Sequence, residues 1–304
     1  MKHVLTHCFL LALLLLTGAS CRPGGAEAEG GKPTLTVTLE PVRYFAEAIA
    51  GGRFEVNCMV PAGSSPETYD PTPRQLMELA ASRAYLRIGY IGFEQAWMDR
   101  LEANAPQMQV FDLSEGVPLI READHEHEGH RHAGGVEPHL WNSPSNARII
   151  ARNVCAALCR LDSLHRGEYA ARLDSLEGVI TRTDSLVRRL LSEGAPRAFL
   201  IYHPALSYFA RDYGLTQLCL EEGGKEPSPA HLQTLIRTCR EQGVRTVFVQ
   251  REFDSRNAEL VARELDALEK VADSMHAVSD AMTEILGTTA MDMDQKMDES
   301  RLQL

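Results

Sequence analysis

Three short segments carry side chains suited to holding a metal ion: Glu67 in Pro66-Glu67-Thr68-Tyr69, His139 in Pro138-His139-Leu140-Trp141, and His203 in Tyr202-His203-Pro204. Each stands just past a stretch that reads as the end of a buried strand. Parallel α/β sheets gather ligands at the carboxyl ends of their strands, so this placement predicts that the three converge on one site. Neutral imidazoles suit zinc, and a carboxylate adds a harder oxygen that offsets the cation's charge. Between the first and second segments lies Asp124-His125-Glu126-His127-Glu128-Gly129-His130-Arg131-His132, with four of the chain's eleven histidines. His125, His127, His130 and His132 are candidates for auxiliary metal capture, since histidine-rich tracts bind metal on composition alone. The run is not the HExxH motif of zinc proteases, because Gly129 and Arg131 stand where a second histidine would be needed.

The elements that must position these groups alternate. Leu35, Val37 and Leu39 mark a first strand, Pro41 to Ala50 a helix stopped by Gly51 and Gly52, and Phe54 to Val60 a second strand. The Pro, Gly and Ser rich loop from Pro61 to Pro71 carries Glu67. It closes on a capping-box signature at Thr72 and Gln75, with Pro73 at the first helical position. A strand at Ala84 to Ile88, a helix at Phe93 to Glu102 and a strand at Gln109 to Asp112 complete a βα pattern that predicts a parallel sheet. Ser143 and Pro144 then open a helix with Ile150, Val154, Leu158 and Leu161 on one face.

From about Ser163 to Glu193, Leu173, Leu176, Ile180, Val187 and Leu190 follow a heptad-like stripe. One helix of about 45 Å would span that segment at 1.5 Å per residue. The stripe is short for a dimeric coiled coil, and a spine joining two lobes is preferred. Beyond it the alternation resumes: strand Ala198 to Tyr202, helix Pro204 to Tyr213, strand Thr216 to Leu220, helix Pro229 to Glu241 capped by Ser228, strand Thr246 to Gln250 and helix Ser255 to Leu268. The expected fold is therefore α/β, with two small parallel-sheet lobes linked by one long helix and a metal cleft between them. The expected divisions are residues 1–20, 21–32, an N-terminal lobe over 33–162, a linking helix over 163–194, a C-terminal lobe over 195–287 and a polar tail over 288–304.

A chain of 304 residues with 44% hydrophobic content can bury a sizeable core, and its net charge of −11 argues against nucleic acid as a partner. Residues 1–20 read as an export signal: Lys2 and His3 precede the apolar run Phe9 to Leu16, which is too short to span a bilayer. Gly18, Ala19 and Ser20 lead into Cys21 in the manner of a lipoprotein cleavage site, so Cys21 is the expected lipidation site and Arg22 to Lys32 a flexible tether. Gly18 stands where that pattern usually has Leu. Cys58, Cys155, Cys159, Cys219 and Cys239 make an odd set without CxxC spacing, which argues against a disulfide framework. Trp141, Tyr69 and Tyr208 are expected to shield the ion and hold the imidazoles.

These segments resemble the ZnuA- and TroA-like family of bacterial solute-binding proteins that serve zinc and manganese ABC importers. Val60 to Pro73 is similar to that family's first ligand loop, with Glu67 where a histidine usually stands. Glu137-Pro138-His139-Leu140-Trp141-Asn142-Ser143-Pro144 is similar to the second ligand segment, and Tyr202-His203-Pro204-Ala205 through Tyr213-Gly214-Leu215 to the third. The resemblance covers Thr34 to about Leu286. It implies an extracytoplasmic protein of the cell envelope, facing the periplasm or exterior, lipid-anchored and monomeric, that captures Zn2+ and passes it to ABC permease subunits. It also implies a fourth ligand after the last strand; Asp266 to Glu284 lines up poorly, leaving His276 first and Asp280 second.

Glu67 moves the site toward Mn2+ or Fe2+, while the histidine loop favours zinc. Metal capture through imidazole weakens as pH falls below about 6.5, the ordinary histidine value. A long spine implies only modest change of shape on loading. Two other classes remain open at this point: a zinc hydrolase, for which no nucleophile motif such as GxSxG is present, and an adhesin in which the metal is structural.

Overall fold

The computed structural model describes residues 31–121, 135–192, 196–221, 225–248 and 256–265. By its contacts the chain parts after Pro33, and Thr34 to Leu304 form one unit. The expected leader at 1–20, Cys21, the histidine-rich run at 124–132, His276, Asp280 and the tail expected at 288–304 lie outside the described residues.

The first sheet arises from β1 (Thr34–Val37), α1 (Glu40–Ala50), β2 (Glu55–Cys58), α2 (Pro73–Ala80), β3 (Ala84–Arg87), α3 (Gly92–Asn104) and β4 (Gln109–Asp112). Its strands are parallel in the order β2-β1-β3-β4. The central strands are apolar because both faces of a parallel sheet are covered: Leu35, Val37, Ala84 and Leu86 are buried completely. Helix α1 adds Val42, Ala46 and Ile49 to this core, and α3 adds Phe93 and Leu101.

The capping box expected at α2 is present. Thr72 Oγ1 accepts the Gln75 N–H at 3.3 Å, and Gln75 Oε1 accepts the Thr72 N–H at 2.9 Å. Gln75 also takes the Tyr69 hydroxyl (2.9 Å) and donates Nε2 to Met59 O (2.7 Å). One side chain thus ties both ends of the Pro61 to Pro71 loop to the end of β2.

Helix α4 (Pro144–Leu161) starts where Ser143 Oγ accepts the Asn146 N–H. Helix α5 (Arg166–Ser192) has 27 residues, about 40 Å at 1.5 Å per residue, and it runs unbroken through Gly167 and Gly178. A short 3₁₀ turn at Ser163–His165 replaces its expected first turn. Tyr169, Leu176, Val179 and Ile180 are buried, and α5 packs on α4 and α1. The first half of the heptad stripe is therefore consumed inside this chain, whereas Leu190 near its end is 48% exposed.

The second sheet is built from β5 (Ala198–Ile201), α6 (Ser207–Tyr213), β6 (Thr216–Cys219), α7 (Pro229–Glu241), β7 (Val247–Phe248) and α8 (Arg256–Glu264). Its parallel order is β6-β5-β7, around a separate core that includes Leu200, Tyr202, Leu220, Leu235, Val247 and Val261. The chain is thus α/β with two parallel sheets, and α5 links them. Helix α6 begins at Ser207 and not at Pro204, because the Ala205 N–H turns back to His203 O at 2.7 Å. Gly214 ends it in the left-handed conformation (φ 63°), a backbone shape glycine adopts without cost. Among the described residues no helix is long and apolar enough to cross a membrane.

Candidate metal centre

His203 follows β5 by two residues, at the carboxyl end of its sheet as the strand-end rule requires. His139 reaches the same place differently. Among the described residues it leaves no sheet strand; it follows an isolated bridge between Arg121 and Val136 and precedes the 3₁₀ turn Leu140–Asn142. That turn is fixed by the Leu140 N–H on Pro138 O (2.8 Å) and by Asn146 Nδ2 on Leu140 O (3.1 Å). The two Nε2 atoms stand 3.2 Å apart, with ring centroids at 5.0 Å.

A carboxylate stands behind each imidazole. His139 Nδ1 contacts Glu137 Oε1, and His203 Nδ1 lies 2.9 Å from Glu221 Oε1. In the tautomer that donates Nδ1–H to its carboxylate, each imidazole turns an Nε2 lone pair toward the other, the arrangement in which carboxylates orient metal-binding histidines. Two imidazole nitrogens on a tetrahedral zinc ion would be separated by about 3.3–3.4 Å, given Zn–N bonds of about 2.0–2.1 Å. The observed gap fits a cation held between them.

The pair is sheltered. His139 is 7% exposed and Glu137 6%, and Trp141 packs edge-on against the His139 ring at 5.5 Å. Burial pushes the Glu137 carboxyl up. Hydrogen bonding and charge from His139, with the Ser207 hydroxyl on Oε2 at 3.2 Å, overcome that and hold it below the usual carboxylate range. Glu137 stays ionised and able to orient its imidazole.

The spacing of the two imidazoles is set by α6, which leaves the His203 turn and docks on the His139 segment. Tyr208, fully buried, donates its hydroxyl to Glu137 O (2.8 Å) and accepts the Ile120 N–H (3.2 Å). Arg211 donates to Pro118 O (2.6 Å), and Asn142 Nδ2 to Ala205 O (2.9 Å). The hydroxyls of Ser143 and Ser145 both donate to Asp212. Tyr208 was expected beside the ion; it works instead as a joint between the two segments.

Glu67 is not grouped with the two histidines. Its Oε2 accepts the Gly92 N–H at 3.1 Å, at the start of α3, and among the described residues no set of three His, Cys, Asp or Glu side chains is grouped to hold a metal. Tyr69, on the same loop, packs on Phe93 at 6.1 Å. The structure brings His139 and His203 together and leaves Glu67 on the helix terminus. Glu137 and Glu221 were absent from the expected set. Glu221 stands two residues past β6, and the pairing of β6 with β5 brings it to His203.

Residues 35–294 match the family described as zinc-uptake complex component A, periplasmic. The chain is 26% identical over 285 residues to the high-affinity zinc uptake system protein ZnuA of Bacillus subtilis (strain 168), covering 91% of this chain and 88% of that protein. It is 25% identical to the manganese ABC transporter substrate-binding lipoprotein PsaA of Streptococcus mitis, with 84% of each chain covered. A crystal structure of ZnuA superposes with a TM-score of 0.71 at 32% identity, over 78% of this chain and 89% of that one. With the fold, the facing histidines and these likenesses in agreement, the chain belongs to the family of periplasmic zinc-uptake complex component A.

Proposed function

We propose that this protein captures zinc outside the cytoplasm and hands it to the membrane subunits of an ABC-type permease. The observation that carries this reading is the pair of Nε2 atoms 3.2 Å apart, each imidazole backed by its own carboxylate. Its family is one of binding components and not of enzymes, so the hydrolase alternative falls away.

Glu67 is proposed as a third ligand that joins on loading through the oxygen not held by Gly92. His276, with Asp280 as the second choice, is proposed to close the site. His125, His127, His130 and His132 are proposed to collect metal ahead of it, and Cys21 to carry a lipid that keeps the protein at the membrane as a monomer. The docking of α6 on the His139 segment supports release without wide separation of the two sheets.

Manganese is the competing cargo, supported by the likeness to PsaA and by the oxygen donor at Glu67. Elemental analysis and competitive titration of the purified full chain test the reading, with His139→Ala and His203→Ala alongside. One tightly bound zinc per chain, lost in both variants while any weaker zinc on the histidine-rich run stays, is the expected result. Manganese bound in preference to zinc at equal free concentration would overturn the zinc assignment, and the tight zinc retained at unchanged affinity in both variants would overturn the site.

A further inference from the structure

We propose that Gly92 determines how Glu67 meets the metal, and so sets the balance between zinc and manganese; the inference rests on the reading of Glu67 as a ligand. The first N–H groups of a helix have no partner within it. At α3 the residue before the helix, Ile91, offers no side-chain cap. The Pro66-Glu67 dipeptide supplies one from outside: Glu67 Oε2 takes the Gly92 N–H at 3.1 Å and Pro66 O takes the Phe93 N–H at 2.8 Å. The positive end of the helix further favours a carboxylate there.

This close approach depends on residue 92 having no side chain. A Cβ at Gly92 would lie 2.5 Å from Glu67 Oε2, 2.9 Å from Glu67 O and 3.0 Å from Glu67 Cα. The last two are backbone atoms, so no change of rotamer relieves them and the Glu67 loop itself must shift. The opposite wall does not yield. Glu94, 2% exposed, accepts the Ile88 N–H at 3.1 Å, the Gly89 N–H and the Thr38 hydroxyl, which ties the turn before α3 to the sheet.

With Oε2 engaged by the amide, Glu67 presents Oε1 as its freer donor, which biases it toward binding a cation through one oxygen and not as a chelating pair. A single oxygen beside two imidazoles suits the low coordination number of zinc, whereas a carboxylate freed to chelate suits ions that take more oxygen ligands. Residue 92 thereby governs the denticity of a ligand that lies 25 positions earlier in the chain.

Zinc and manganese dissociation constants, measured by competition on the full chain, test this in wild type, Gly92→Ala, Glu67→Ala and the double variant, with thermal melts in parallel. Gly92→Ala is expected to weaken zinc by about 10-fold or more, the scale for losing a partner that orients a ligand, and to narrow the preference for zinc over manganese. In the Glu67→Ala background it should change nothing further. Glu67→Gln should lose zinc as fully as Glu67→Ala, because its carbonyl oxygen keeps the Gly92 amide and its NH2 faces the ion; this variant serves if Gly92→Ala does not fold. If Glu67→Ala weakens zinc while a folded Gly92→Ala binds both metals as wild type, the role of Gly92 is overturned and Glu67 stands as a ligand. An equal loss from Gly92→Ala with and without Glu67, or full zinc affinity in Glu67→Gln, also overturns it. Unchanged binding in Glu67→Ala overturns the ligand reading itself.

Discussion

Replacing Glu137 by Gln isolates the charge behind His139 from the geometry that holds it. The carboxylate is 6% exposed; Oε1 accepts the His139 N–H at 3.1 Å as well as its Nδ1, and Oε2 accepts the Ser207 hydroxyl. A glutamine in the same rotamer keeps its carbonyl oxygen at the Oε1 position. Its NH2 then points at Ser207 Oγ, which can accept and turn its own proton to Pro204 O, 3.2 Å away. Every partner is satisfied, and only the negative charge is lost. Removing such a partner of a metal-binding histidine costs about 10–100-fold in affinity, which is about 1.4–2.8 kcal/mol. Competition against a chromophoric chelator at pH 7 reads that change, and a urea titration of the same protein should show little loss of stability. Zinc affinity within twofold of wild type, in a folded Glu137→Gln protein, would refute the claim that the carboxylate orients and strengthens His139.

Tyr208→Phe leaves Glu137 O and the Ile120 N–H without their hydroxyl partner, and should cost about 1–3 kcal/mol in chemical denaturation. Asp212 lies below the usual carboxylate range because hydrogen bonds from Ser143, Ser145 and Arg211, with the Arg211 charge, outweigh the upward push of burial. Its folded value is below its unfolded one, so its contribution is present above about pH 4 and is lost as pH falls through the folded value. Asp212→Asn should therefore lower the urea midpoint at pH 7 and flatten the acid side of the stability profile. Chelation should leave a folded apoprotein by circular dichroism, and zinc at 100 times its dissociation constant should add about 2.7 kcal/mol to stability, read as a raised melting temperature.

The elements were legible because their signals are local. Apolar runs marked the strands, and Thr72-Pro73, Ser143-Pro144 and Ser228-Pro229 marked three helix starts through chemistry contained within four residues. The site was legible in part. His203 obeys the strand-end rule, whereas the strand end expected just before His139 is, among the described residues, only an isolated bridge at Val136. The seat of Glu67 could not be read, since its partner is a backbone amide 25 residues later that nothing in the local pattern singles out. Glu221 was hidden for a related reason: in Leu220-Glu221-Glu222 it resembles any surface acid, and only the pairing of β5 with β6 turns it toward His203.

The docking of α6 carries a practical consequence for engineering. The distance between the two imidazoles is specified by a seam of hydroxyl, guanidinium and amide contacts joining Pro118 to Asn146 with Ala205 to Asp212, and not by the long helix that lies between those stretches in sequence. Residues transplanted from a relative into one side of that seam will meet a mismatched surface. Exchange of cargo preference by grafting therefore requires both stretches to move together, as halves of one component.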